Sequence, residues 1–289
     1  MEKVVIFGAG NCGRLIGARL VNEGKAKILA FIDNDKQKAG QAIMLASDCG
    51  GGGGVNIYPS IKLMELNFDK VIVGTFTGLY EISEQLESMG IERAKIDISY
   101  IELSVRARIA FLQDFASISQ KLDGAVAELG VYRGDFARYI NEAFASKKLY
   151  LFDTFEGFAS DDVSKDRAMA HSLGARHFSN TSVELVLSKM PHKEQCVIQK
   201  GWFPQSAAGL ENERFCFVNL DCDLYEPILA GLRFFMPRMV RGGVVLVHEY
   251  FSQGYVGVKE AVEEYLSENG AGVAKLPIGD NLSIALIKT

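Results

Sequence analysis

Hydrophobic positions fall along the chain in short runs that alternate with amphipathic stretches, and the alternation begins twice. In the first series Val4-Val5-Ile6-Phe7 reads as a buried strand, Leu15 to Leu20 as a helix and Ile28 to Ile32 as a second strand. Ile57 to Leu66 reads as a short strand or turn followed by a helix, Val71 to Val73 as a strand, Leu79 to Met89 as a helix and Lys95 to Ile98 as a last strand. The second series starts near Ala125, with candidate strands at Val126 to Leu129, Leu149 to Phe152, Gln195 to Ile198, Phe215 to Leu220, Val244 to Val247, Gly272 to Lys275 and Leu282 to Ile287. Helices fit Phe136 to Ala145, Val183 to Met190, Pro227 to Phe235 and Val256 to Ser267. Strands alternating with helices predict an α/β chain of two parallel, doubly wound, Rossmann-like domains. Between the series, Leu103, Ala107, Ala110, Phe111, Phe115 and Ile118 recur at helical spacing and predict a bridging helix. The domains are therefore expected at 1–102 and 103–289. The run Gly50 to Gly54 follows no strand and opens no helix; each glycine loses much backbone entropy on ordering, so a mobile surface loop is expected.

Composition narrows the class. The chain has 289 residues, enough for two small domains, and a formal net charge of −5 with no basic run, so nucleic acid is not an expected partner. No apolar stretch reaches the length of a membrane span, and the N-terminal residues lack a signal-peptide pattern; a cytoplasmic protein is expected. The five cysteines, Cys12, Cys49, Cys196, Cys216 and Cys222, are odd in number and unpaired in spacing, which argues against a zinc site or a disulfide framework.

Gly8-Ala9-Gly10-Asn11-Cys12-Gly13 is a complete G-x-G-x-x-G between a strand and a helix, and Asp33 ends the next strand. Such a turn lets a phosphate approach a helix N-terminus, where N–H groups and the dipole favour anions, while the strand-end acid can accept ribose hydroxyls. Gly8, Gly10, Gly13 and Asp33 are thus candidate nucleotide-binding residues. With Phe31 to Asp35 and Val71-Ile72-Val73-Gly74-Thr75, the segment resembles the N-terminal domains of bacterial sugar acyltransferases. That resemblance implies a nucleotide or nucleotide-sugar; the competing reading is a retained fold with an empty site that serves docking.

The second turn, Glu128-Leu129-Gly130-Val131-Tyr132-Arg133-Gly134, has the looser spacing acid-x-G-x-x-x-G, and Asp153 ends the following strand. S-adenosylmethionine (SAM) carries no pyrophosphate but has an amino-acid end, so a looser turn and an acid for the ammonium group suit it. Four further blocks follow in order: Phe152-Asp153-Thr154-Phe155-Glu156-Gly157-Phe158, Lys200-Gly201-Trp202-Phe203-Pro204, Leu220-Asp221-Cys222-Asp223-Leu224-Tyr225-Glu226, and Gly242 to Tyr250. Together they resemble the macrocin O-methyltransferase family, which methylates sugar hydroxyls in antibiotic or polysaccharide synthesis. The resemblance implies a seven-stranded class I methyltransferase domain with its last strand antiparallel, SAM as donor, a sugar or glycoside acceptor, self-association, and a divalent metal, magnesium or manganese. Candidate cofactor-binding residues are Glu128, Gly130, Gly134, Asp153, Thr154, Phe155, Gly201, Trp202 and Asp221. Trp202 fits a cofactor or acceptor wall and equally a core aromatic.

Asp221 is the leading candidate for metal ligand, general base or both, and Asp223 is a second acid two residues on. Where the family has two aspartates before a tyrosine, this chain has His248-Glu249. Either Glu249 keeps an oxygen site, with Asp221, His248 and Glu249 as ligands, or His248 is the base and the metal is weak or absent. His171 and His177 fit either a lid over the acceptor or a solvated loop. Two other functions remain open: a nucleotide-sugar oxidoreductase or epimerase driven by the first domain, and a non-catalytic binding module.

Overall fold

A computed structural model describes residues 1–45, 54–76, 78–158, 163, 178–252 and 254–289. The chain divides into two compact units, Met1–Val105 and Arg106–Thr289, and the division falls inside the helix Ser99–Ile118. In that helix Arg108, Leu112, Phe115 and Ala116 form a buried stripe, continued by Ser119 just past its end, while Leu103, Ala110 and Ile118 are exposed. The apolar pattern had set Leu103, Ala110 and Ile118 inward; packing rotates the helix so that an arginine points in instead. No helix of the described residues is long and apolar enough to cross a membrane.

The first unit holds β1 (Glu2–Phe7), β2 (Ala26–Ile32), β3 (Ala42–Met44), β4 (Gly54–Tyr58), β5 (Lys70–Val73) and β6 (Ile96–Asp97), in the order β3-β4-β2-β1-β5-β6. All pairs are parallel except β3 with β4, an antiparallel edge that periodicity did not reveal because β3 is only three residues long. After β4 the expected helix is a 3₁₀ segment, Ser60–Glu65. Gly54 opens β4 rather than ending a loop, and residues 50–53 lie outside the described ones. Val4, Val5, Ile6, Phe31, Val71 and Val73 are fully buried, as continuous apolar strands covered on both faces must be.

The second unit holds β7 (Ala125–Leu129), β8 (Leu149–Asp153), β9 (Cys196–Lys200), β10 (Phe215–Leu220), β11 (Met239–Val247), β12 (Val273–Pro277) and β13 (Ile284–Lys288). Their order is β12-β13-β11-β10-β7-β8-β9, with β13 antiparallel to both of its neighbours. One face packs against the helices Tyr225–Phe235 and Val256–Asn269, with Phe152, Phe203, Phe215 and Phe235 at its centre. The other face packs Val126, Leu151, Phe217 and Leu246 against Leu112 and Phe115 of the Ser99–Ile118 helix and Ile140 of the helix Ala137–Ala143. β11 starts five residues before the apolar run that marked it, because Gly243 lets the backbone enter the sheet where a Cβ would lie 2.9 Å from the Cys216 carbonyl.

Candidate active site

Strand order reverses beside β7, which has β8 on one side and β10 on the other, and such a switch opens a crevice at the carboxyl ends of the strands. The register states which residues reach it. Leu129 pairs with Phe152 and with Leu220, and Leu220 pairs with Val247. The next residue on each strand, Gly130, Asp153, Asp221 and His248, therefore stands in one row along the sheet edge. Asp153 pairs in turn with Lys200, which sets Gly201 and Trp202 at the end of the row.

Gly130 has φ of +88° and no room for a side chain: a Cβ would fall 2.1 Å from the Asp221 carbonyl oxygen. Gly134, with φ of +77°, turns the chain against Val186 and Met190. The Asp153 carboxylate accepts N–H bonds from Tyr132 (2.8 Å) in the turn and from Phe155 (2.7 Å). Each of its oxygens keeps a lone pair for a further donor. Phe155 is buried with φ of +56°, and Thr154 accepts from the Glu156 amide and donates to the Gly157 carbonyl. Tyr132 is itself covered, its hydroxyl donating to Asn180 and its ring 4.8 Å from that of Phe178. Trp202 is 43% exposed, so it is not a core aromatic; Phe203 beside it fills that place.

Alternation along β7 and β10 aims Glu128, Asn219 and Asp221 at one face, the face that carries Arg108. Arg108 Nη2 donates to Asn219 Oδ1 and to Asp221 Oδ2, both at 2.9 Å, and its guanidinium lies 3.9 Å from the Phe136 ring centre. Asn219 donates onward to Glu128 Oε1 at 2.8 Å. Glu128 is 1% exposed, and its Oε2 has no hydrogen-bond partner among the described residues. Burial pushes the Glu128 carboxyl well above the usual carboxylate range, the charge of Asp221 adds to this, and Arg108 and Asn219 oppose it. Burial would raise Asp221 too, but the charges of His248 and Arg108 hold it below its ordinary value.

His248 Nδ1 lies 3.0 Å from Ser283 Oγ, and Nε2 lies 3.7 Å from Glu249 Oε1. Burial and the charges of Asp223, Glu249 and Asp221 raise the hydroxyl of Tyr255, which faces the same acids. Asp221, His248 and Glu249 do not converge as metal ligands: among the described residues no group of three or more His, Cys, Asp or Glu could hold an ion. Asp221 Oδ2 is bonded to a guanidinium, and a cation beside Arg108 would meet like charge. This donor set does not fit the divalent metal implied by the family resemblance. His171 and His177 lie outside the described residues.

Arg108, Asn219 and Ser283 escaped sequence reasoning. Asn219 carried a signal, as the single polar residue in the wholly buried strand Phe215–Leu220. Arg108 looked like one more polar position of a surface helix.

In the first unit the turn closes on itself. Asp33 Oδ2 accepts from the Ala9 amide (2.9 Å) and from Lys38 Nζ (3.0 Å), and Oδ1 accepts from the Asp35 amide. A Cβ on Gly13 would fall 1.9 Å from the Gly8 carbonyl, and one on Gly8 2.9 Å from that of Gly74. Gly10 differs, with φ of −80° and nothing within 4 Å of a Cβ position.

The sequence model of the macrocin O-methyltransferase family matches residues 89–278. The chain belongs to that family. A second model, of C2185-like N-terminal domains, matches residues 1–97. A curated relative from Streptomyces olivaceus, 8-demethyl-8-(2,3-dimethoxy-alpha-L-rhamnosyl)-tetracenomycin-C 4'-O-methyltransferase, is 26% identical over 169 residues, 53% of this chain and 62% of the relative. The chain thus spans less than two thirds of that relative's length. Among solved structures, the O-methyltransferase NovP superposes with a TM-score of 0.55 at 22% identity, covering 71% of this chain and 88% of its own. CalS11, a calicheamicin methyltransferase, superposes with a TM-score of 0.52 at 18% identity, covering 74% of this chain and 86% of its own. At these identities the two likenesses show a shared fold.

Proposed function

We propose that the chain is a SAM-dependent O-methyltransferase acting on a sugar hydroxyl in natural-product or surface-polysaccharide synthesis. The observation that carries this reading is the row Gly130, Asp153, Asp221 and His248 at the sheet edge, with the orphaned Glu128 Oε2 beside it. Membership of the family and the sugar-methylating relative support it.

The residues fit the donor. SAM supplies a methyl group on a sulfonium that is displaced in line by a nucleophile. Glu128 Oε2 would receive the ammonium group, Gly130 and Gly134 keep the turn free of side chains, and the remaining lone pairs of Asp153 would accept the ribose hydroxyls. Thr154 and Phe155 hold the Asp153 loop, while Gly201 and the exposed Trp202 would flank the cofactor on the β9 side. His248 would take the proton of the sugar hydroxyl that attacks the methyl group SAM supplies. Asp221, kept anionic by Arg108, stabilises the imidazolium formed. A positive group opposite Asp221 is thus supplied by the chain itself.

For the first unit we propose a nucleotide or nucleotide-sugar pocket at Gly10, whose surroundings alone in that turn leave room for a phosphate. The test of the main reading is calorimetric titration of SAM and S-adenosylhomocysteine into the full chain and an Asp153→Ala variant. Binding is expected to weaken by about 10- to 100-fold in the variant, as for loss of a charge-assisted hydrogen bond. Absence of binding to either ligand by the unaltered chain overturns the reading, and titration of NAD and nucleotide-sugars then tests an oxidoreductase.

A further inference from the structure

His248 is not held by its own strand alone. β11 and β13 run antiparallel with Leu246 opposite Ala285 and Val247 opposite Ile284. Continuing that register by one step places His248 opposite Ser283, and their side chains meet at 3.0 Å. Behind Ser283 stands Asp280, in the turn that precedes β13. Ser283 Oγ donates to Asp280 Oδ2 at 2.5 Å, and Asp280 Oδ1 accepts the amides of Leu282 (3.0 Å) and Ser283 (2.7 Å). Asp280 and Ser283 are each 1% exposed and His248 8%, so water does not substitute for these partners.

A serine hydroxyl has one proton. Here it is committed to the carboxylate, so Ser283 Oγ can only accept from the ring. Nδ1 must then carry the hydrogen of the neutral imidazole, and the lone pair falls on Nε2. Nε2 is the nitrogen on the side of Glu249, whose Oε1 lies 3.7 Å away. We propose that Asp280 and Ser283 are positioning residues that fix His248 in the Nδ1–H tautomer and so present Nε2 as the proton acceptor. The relay reaches the reaction through His248 and touches neither substrate nor cofactor. It rests on the reading of His248 as the group that takes the hydroxyl proton.

Asp280→Asn is the decisive variant because it keeps shape and inverts polarity. With its carbonyl oxygen still facing the two amides, its NH₂ group donates to Ser283 Oγ. The serine hydroxyl is then released to donate to Nδ1, which forces the hydrogen onto Nε2. The full chain, labelled with ¹⁵N-histidine, is examined by long-range ¹H–¹⁵N spectroscopy at a pH where the imidazole is neutral. The unaltered chain is expected to show a protonated Nδ1 and an unprotonated Nε2, Asp280→Asn the reverse, and Ser283→Ala a mixture.

In methyl transfer to a sugar acceptor, Asp280→Asn is expected to lower kcat by about 10²- to 10⁴-fold, the range of a general base lost or held in the wrong tautomer. KM and the affinity for S-adenosylhomocysteine are expected to stay within about twofold, since no interaction with either ligand is removed. That affinity also verifies that each variant is folded. A protonated Nε2 in the unaltered chain, or the same tautomer in the unaltered chain and Asp280→Asn, overturns the proposal. Inversion of the tautomer with kcat unchanged supports the relay and overturns the role of His248 as proton acceptor. The spectrum alone therefore judges the relay, and the rate alone judges the reading it rests on.

Discussion

Replacing Arg108 by methionine tests the charge arrangement of the site most directly. Methionine keeps a flexible apolar stem against Phe136 but removes every donor. Asp221 Oδ2 and Asn219 Oδ1 both lose a bond of 2.9 Å. An ion pair at the surface contributes about 0–1 kcal/mol, whereas removing one partner of a buried pair costs about 3–5 kcal/mol. The Arg108 and Asp221 side chains are 11% and 22% exposed, close to the buried limit, so a loss of about 3 kcal/mol is expected. In a unit of this size each kcal/mol moves the melting midpoint by about 2–4 °C, giving a fall of about 6–12 °C. Adding Asp221→Asn removes the stranded charge, so the double variant is expected to lose about 1–3 kcal/mol less than the sum of the single losses. The pH dependence has a defined sign. Because the Asp221 carboxyl is held below its ordinary value, its stabilisation is present above the ordinary aspartate range, near pH ~3.9, and is lost as pH falls through the lower folded value. Without Arg108 that acid loss begins at higher pH. Thermal scans from about pH 3 to about pH 8 on the four chains measure all of this. A fall below about 2 °C, or strictly additive losses, refutes the claim that Arg108 compensates a buried Asp221.

Glu128→Gln keeps the bond from Asn219 but cannot become the carboxylate that would pair with an ammonium group, and is expected to weaken S-adenosylhomocysteine binding by about 10- to 100-fold in calorimetry. Since burial raises the Glu128 carboxyl, the unaltered chain loses stability as pH rises through that raised value, a loss that the glutamine variant lacks in thermal scans. Chelation with EDTA is expected to leave the methylation rate within about twofold, because a guanidinium rather than an ion faces Asp221; a larger fall, restored by magnesium or manganese, contradicts this. Gly10→Val is expected to keep the unfolding free energy from denaturant titration within about 1 kcal/mol while abolishing nucleotide binding to the first unit. Gly13→Ala, whose Cβ meets the Gly8 carbonyl, is expected to lose about 3 kcal/mol or more of stability in the same titration.

Local chemistry made much of this protein readable. Apolar runs at Val4–Phe7, Val126–Leu129 and Phe215–Leu220 mark strands because a parallel sheet buried on both faces needs continuous hydrophobicity. Glycine turns after a strand, each with an acid closing the next one, announced two Rossmann-like folds, and the blocks around Asp153, Asp221 and His248 pointed to one sheet edge. These signals are local in sequence, since a strand end and its turn lie within a few residues.

What the tertiary structure decided is which side chains meet across that edge. Arg108 comes to Asp221 from a helix 113 positions earlier, and Ser283 to His248 from the segment leading into β13, 35 positions later. Neither pairing leaves a trace in the spacing, because an inward arginine and a buried serine look like surface residues until the helix rotation and the strand register are known. The antiparallel edge of the first sheet was hidden for a related reason, since three residues of β3 are too few to show a period. Periodicity specifies which face of an element is buried; register and rotation, set by the packing of the whole domain, specify the partner it is buried against.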